Sequence, residues 1–457
     1  MNWNTIVSGK RTGESQPKQG IRTDFQRDYD RLVFSSPFRR LKNKTKIFRL
    51  PGSVFVHNRL TLLLEVASVG RSLGKMVGEK LVEKGLIDEQ NSEFYYYELQ
   101  NVISSACLGH DIGNPSFGHS GEKAISNFFQ TYQDLEIESK KPLKDYFEVH
   151  EWQDLISFEG NANSFRILTH HFNGKSEGGL MLTYTTLAAL MKYPCTADAM
   201  NPDHINSKKF SIFQLDKTLA TEIFEELRID KASEDPLVFK RHPFVYLTEA
   251  ADDICYRIID FEDAQRLKIL SQGYVAEIFL NLIKEIGREE DRIDRIRQRY
   301  DNLEDENEKI AYLRAKCINS LALEAVDVYM ENINRIIQGN YNTGLIDELT
   351  RSNPFLQEIQ AVSNEKIYNF DSVVQLEITG YKIMSDLLSL FIPAMLKSRP
   401  DHKDEKVLRL LPKQFRTNNL GHFHKVFSVL DYLSGITDPY AVELYRKLFG
   451  IDIPHHT

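Results

Sequence analysis

Residues 107–122 read CLGHDIGNPSFGHSGE and hold the densest chemistry in the chain. Imidazole beside carboxylate, at His110 and Asp111, can bind a divalent metal ion. A second such pair, His119 and Glu122, can move a proton. The turn between them contains glycine and proline, which brings the second pair back towards the first. A lone His-Asp dipeptide is usually a cap or a surface pair. The whole string HDxGxxxFGHxGE is far more specific.

A second segment, YLTEAADDICYRIIDFEDA at 246–264, places Asp252, Tyr256 and Asp260 at i, i+4 and i+8, along one stripe of a helix. Its neighbours Ala250, Ala251, Ile254 and Ile258 make that helix a buried one, and a buried carboxylate requires a partner. The partner is either a metal ion shared with His110 and Asp111 or a salt bridge to Arg257 or Arg266. Positive groups are scattered beside small turns: Arg39, Arg40, Arg59, Lys192, Lys208 and Lys209. Singly these are solvated surface charges, but in one pocket they would bind a polyphosphate. No GxxxxGK[ST] loop is present, so a P-loop site is excluded.

Helices must position these groups. Apolar residues recur at three- and four-residue spacing over 61–84, 98–109, 120–132, 180–192, 215–228, 243–260, 273–299, 305–337 and 371–397. Strand alternation is confined to short pieces near 45–56, and 133–158 and 195–212 read as long connections. The charged run at 288–309 reads as a solvated or subunit-facing helix. These patterns predict a mostly α protein. It has a polar N-terminal arm at 1–28, a catalytic helical core at 29–270 and a C-terminal helical layer at 271–457. The 457 residues carry 42% hydrophobic and 27% charged side chains with a net charge of −8, ordinary for a globular chain with a sizeable core. That charge gives no general attraction to nucleic acid or an anionic membrane. No apolar run approaches the ~20 residues that span a bilayer, and the N-terminus lacks a signal core. The four cysteines form no CxxC pair and read as reduced thiols of a cytoplasmic protein.

The ordered blocks FRRL, HNRLT, LEV, VGR, HDIGNP, FGHSGE, FEGNA, LTYTTLAALMKYP and RHPFVYLTEAADDICY run from 38 to 256. Together they resemble the HD-superfamily deoxynucleoside triphosphate triphosphohydrolases of the bacterial dGTPase type. The resemblance implies an HD-domain helical core and hydrolysis of dGTP, or another deoxynucleoside triphosphate, to deoxynucleoside and tripolyphosphate. It implies a divalent cofactor, Mg2+ or Mn2+ or another transition metal, held by His110, Asp111 and Asp252. It makes His119 and Glu122 the catalytic pair, Tyr256 and Asp260 the contacts of the sugar 3′-hydroxyl, and Arg59 and Lys192 phosphate contacts. A homo-oligomer, dimer to hexamer, and a nucleotide or single-stranded DNA effector are implied as well. Lys10, Arg11, Lys18 and Arg22 offer a basic arm for the latter.

Several positions depart from that pattern. Where the family usually reads HxRLTHSLEV, with the second histidine its first metal ligand, this chain reads HNRLTLLLEV. Leu62 replaces that histidine and Leu63 the serine after it, whereas Leu64 belongs to ordinary packing. His57 lies about 140° away around a helix and is not expected to substitute. Lys46 stands where a glutamine usually lies close to the sugar, which makes it a substrate-binding candidate. Leucine has no donor atom, so the metal site is expected to be weakened. The alternative is a catalytically impaired subunit that binds nucleotide or regulates.

Overall fold

A computed structural model describes residues 1–13, 21–48, 55–138, 141–175, 177–287, 293–416 and 420–452. Helices dominate, and among the described residues the one sheet is a two-stranded ribbon pairing Lys231–Ser233 with Val238–Phe239. None of the described helices is long and apolar enough to cross a membrane. Of the strand pieces expected near 45–56, the isolated bridge Thr45–Asn58 is present, and 49–54 lie outside the described residues.

Asn58 starts the Arg59–Glu83 helix by a reciprocal cap: its Oδ1 accepts from the Thr61 amide at 2.9 Å, and the Thr61 hydroxyl accepts from the Asn58 amide at 3.1 Å. Gly70, Gly74 and Gly78 form a flat stripe on this helix. A β-carbon on them would collide with Cys107, Gln100 and Tyr95, so the stripe lets the Leu99–Gly109 helix lie close. That contact sets His110 and Asp111, at the end of the second helix, against the start of the first. The Val245–Arg266 helix, which carries Asp252, packs on the same pair.

Apolar burial produces two cores. The larger surrounds these three helices and adds the Gln272–Ile286 and Glu306–Glu331 helices. The second joins the His119–Thr131 and Val149–Ile156 helices to Asp371–Leu396, His422–Gly435 and Asp438–Leu448. Each core draws on both sides of residue 270. A buried ion cluster fastens the C-terminal helices down: Arg166 donates to both Asp431 oxygens at 2.7 and 2.8 Å and approaches Asp216 at 3.4 Å.

Three local expectations are corrected. The helix expected over 273–299 ends at Ile286, where Gly287 adopts φ 75° and closes it with a left-handed cap. Of the charged run, 288–292 lie outside the described residues, Ile293–Asn302 is helical and a new helix starts at Glu306. At the N-terminus, where 14–20 including Lys18 are outside the described residues, the chain is packed rather than a free arm. Trp3, Ile6 and Arg11 are buried, Arg11 pairs with Asp28 at 2.6 Å, Lys10 with Glu222 at 2.9 Å, and Arg22 with Asp30.

Candidate active site

A cavity of about 460 Å³ opens where the two cores meet. Of the expected site residues, Lys46, Arg59, Asp111, His119, Glu122, Lys192, Asp252 and Tyr256 line it. His110 and Asp260 lie behind its wall and are buried. Lys209 lines the cavity as well, whereas Arg39, Arg40 and Lys208 do not.

Gly118, at φ 57°, turns the chain into the His119–Thr131 helix. A β-carbon there would lie 2.8 Å from the Arg59 guanidinium, so glycine is needed for both the turn and the arginine. His119 Nδ1 meets Glu122 Oε2 at 2.7 Å, and Glu122 Oε1 accepts from the Gly160 amide at 2.9 Å. His119 is open to the cavity, with 79% of its side chain exposed, whereas Glu122 is buried. The hydrogen bond and charge of Glu122 raise the His119 pKa. Burial alone would raise that of Glu122, but the bond and charge of His119, with Lys209 and the Gly160 amide, together outweigh it and the carboxyl stays below its usual range. An imidazole so oriented, with its second nitrogen left for a ligand, is arranged for proton transfer.

Two carboxylates face this couple, and each is already held by a cation. Arg59 donates through Nη1 to Asp111 and through Nε to the Thr45 carbonyl at 3.1 Å. Lys192 donates to Asp252 Oδ2 at 2.8 Å. Its loop is pinned by Arg241, which donates to the Lys192 carbonyl at 2.7 Å and to both Glu249 oxygens at 2.9 Å. Burial would raise both carboxyls, but Arg59 holds Asp111 low and Lys192 with His110 holds Asp252 far below the usual range. Neighbouring Asp253 goes the other way, pushed up to about 8 by burial and by Glu249.

The resemblance implies a divalent ion on His110, Asp111 and Asp252. His110 partly meets that expectation. Its Nδ1 lies 2.9 Å from the Cys107 carbonyl and its buried Nε2, 3.3 Å from Asp252 Oδ2, has no hydrogen-bond partner. The remainder of the set does not follow. Asp111 is engaged by Arg59, and Leu62 presents methyl groups to the cavity. Among the described residues no group of three or more His, Cys, Asp or Glu side chains is arranged to hold a metal ion. His57 does not compensate: it is buried between Asp263 at 2.8 Å and Glu65 at 3.2 Å. The residues present therefore do not fit the ion that the pattern implies. Leu63 is buried with Leu62. Leu64, expected to pack, is 43% exposed because it lies about 200° around the helix from Leu62.

At the other end Tyr256 offers an aromatic face, stacked at 5.8 Å on Tyr368. Behind them both Asp260 oxygens are taken, one by Lys46 and one by the Tyr368 hydroxyl at 2.9 Å. Lys46 thus sits beside the predicted sugar contacts as an ion-pair partner of Asp260. Sequence reasoning missed Tyr368, Val373, Leu376 and Glu377, which bring the C-terminal third into the cavity wall. A π-helical turn at Ser363–Ile367 delivers Tyr368, and no motif in the sequence marks it. The Asp371–Leu396 helix is seated by Gly380, whose missing β-carbon makes room for Phe117 in the turn before His119. Asp438 secures the same turn, accepting from the Phe117 amide at 3.0 Å.

The cavity thus brings the His119–Glu122 pair, the cations Arg59, Lys192 and Lys209 and the aromatic face of Tyr256 to one wall system. No protein-family model matches the chain. It is 35% identical, over 99% of its length and the whole of the relative, to a deoxyguanosinetriphosphate triphosphohydrolase-like protein of Synechocystis sp.. It is 34% identical, with the same coverage, to one of Pseudomonas aeruginosa. A deoxyguanosinetriphosphate triphosphohydrolase of Yersinia enterocolitica is 27% identical over 94% of each chain. The chain belongs to the bacterial deoxyguanosinetriphosphate triphosphohydrolase family.

Proposed function

We propose that this chain binds a deoxynucleoside triphosphate, dGTP or a close relative, and hydrolyses it slowly to deoxynucleoside and tripolyphosphate. The observation that supports this reading is the His119–Glu122 couple facing Arg59 and Lys192 within one cavity. In the reaction, a water oxygen bonds to the α-phosphorus as the bond to the 5′-oxygen breaks, leaving tripolyphosphate, and the proton released by the water replaces the one that His119 delivers. Glu122 favours the protonated His119 ring, which suits it to hand a proton to the departing 5′-oxygen. Arg59 and Lys192 hold the phosphate chain, and Tyr256 supports the sugar. No step runs through a divalent ion, because the donors do not fit one. On this reading the chain acts in the cytoplasm as a homo-oligomer.

The second reading, a nucleotide-binding subunit without turnover, draws its support from Leu62 and from the cations already seated on Asp111 and Asp252. Incubating the protein with each deoxynucleoside triphosphate, with and without millimolar Mg2+ or Mn2+, separates the two. Release of tripolyphosphate with equimolar deoxynucleoside, followed by 31P NMR and chromatography, is expected. Nucleotide binding with no product under any metal condition would reject hydrolysis and leave the binding subunit.

A further inference from the structure

We infer that Arg59 and Lys192 do the electrostatic work of a metal ion in this cavity, so that it takes a phosphate chain as the metal-free polyanion. The inference rests on the phosphate-binding part of the reading above, but not on turnover.

Any divalent ion entering beside His110 must take Asp111 from Arg59 and Asp252 from Lys192. Those pairs lie in a partly desolvated wall, where an uncompensated charge is costly. The ion would also have to coordinate next to the Leu62 side chain, which has no donor atom. A phosphate chain meets neither obstacle. Arg59 uses Nη1 on Asp111 and Nε on a carbonyl, and Lys192 uses one of its three N–H groups on Asp252. Both keep donors for phosphate oxygens without leaving their carboxylates. Lys209, 3.0 Å from Glu159 and also on the cavity wall, extends the line of cations. A chain chelated by Mg2+ carries less negative charge and brings an ion whose expected carboxylates, Asp111 and Asp252, are already paired. The free polyanion is therefore the better match.

The probes are sodium tripolyphosphate and dGTP, titrated calorimetrically into the full chain in EDTA and again in millimolar MgCl2. Binding in EDTA is expected to be at least as tight as in MgCl2. Arg59→Gln and Lys192→Met are each expected to weaken tripolyphosphate by roughly 10- to 100-fold, the loss of one charge-assisted hydrogen bond. Circular dichroism confirms that each variant is folded. A separate arm needs no nucleotide: Mn2+ titrated into the ligand-free protein and followed by EPR. Wild type is expected to leave Mn2+ free, and Leu62→His to take up one ion. The inference is overturned if tripolyphosphate and dGTP bind only after Mg2+ is added. It is equally overturned if wild type takes up Mn2+ as tightly as Leu62→His. Metal-free binding of tripolyphosphate without dNTP hydrolysis would sink the hydrolytic reading and leave this one standing. Hydrolysis by a protein that binds tripolyphosphate and dGTP only after Mg2+ is added would sink this one and leave turnover standing.

Discussion

His57 should make the stability of this protein fall as the solution turns alkaline. The ring lies buried between helices, with Nδ1 2.8 Å from Asp263 and Nε2 3.2 Å from Glu65, and its backbone amide donates to Asp263 at 3.1 Å. Burial would lower its pKa, but the two carboxylates outweigh it and push the ring up to about 9 from an ordinary imidazole value of 6.5. A group raised on folding contributes fully below its unfolded pKa and loses that contribution as pH climbs through the folded one. At about 1.4 kcal/mol per pH unit, that gap corresponds to about 3 kcal/mol, lost between about pH 6.5 and pH 9. Glutamine cannot take the proton, so His57→Gln should be about 3 kcal/mol less stable than wild type near pH 6 from this source. The deficit should shrink to whatever packing and neutral hydrogen bonding differ by above pH 9. Urea denaturation of both proteins across this range measures the difference and cancels titrations elsewhere, such as that of the Lys44 ammonium, whose pKa burial lowers to about 7. A difference that stays flat, or widens with pH, would refute the assignment of a buried imidazolium. Because His57 precedes the helix that begins with Arg59, the variant should also weaken tripolyphosphate binding.

Three further outcomes follow from the contacts around the cavity. Glu122→Gln should lower the rate of tripolyphosphate release by roughly 100-fold or more, since His119 loses its charged partner. Its nucleotide affinity by calorimetry should change little. Arg166→Leu leaves Asp431 and Asp216 facing each other in the interior and should cost roughly 3–5 kcal/mol in a urea melt. The loss should ease in acid as those carboxylates take up protons. Tyr368→Phe removes the hydroxyl from Asp260 and should cost about 1–3 kcal/mol in the same measurement. Unchanged stability would mean that Lys46 alone satisfies that carboxylate.

One wall of the cavity was legible because its groups sit at helical intervals. Asp252 and Tyr256, four residues apart, do line one cavity, and the helix expected over 98–109 is Leu99–Gly109. Leu62 stood out because it occupies the position where the family pattern carries a histidine, and it does line the cavity wall. Other features depend on encounters between distant segments, which periodicity does not record. The pairing of Asp111 with Arg59 and of Asp252 with Lys192 is of this kind, as is the capture of Asp260 by Lys46. Tyr368 carries no flanking motif and reaches the site through a π-turn and tertiary packing. The apolar spacing over 273–299 suggested one helix, but the left-handed conformation available to Gly287 ends it.

Gly380 and Phe117 interlock so closely that no side chain fits at 380 while Phe117 keeps its place. A side chain at 380 would push on the turn that carries His119, and the opposing helix can yield only if residue 117 shrinks. The two positions should therefore drift through evolution as one heritable unit, although the chain between them includes most of the molecule. A chimera that takes its C-terminal helices from a relative would inherit half of that unit, and its defect should appear at His119, in a segment the exchange never touched.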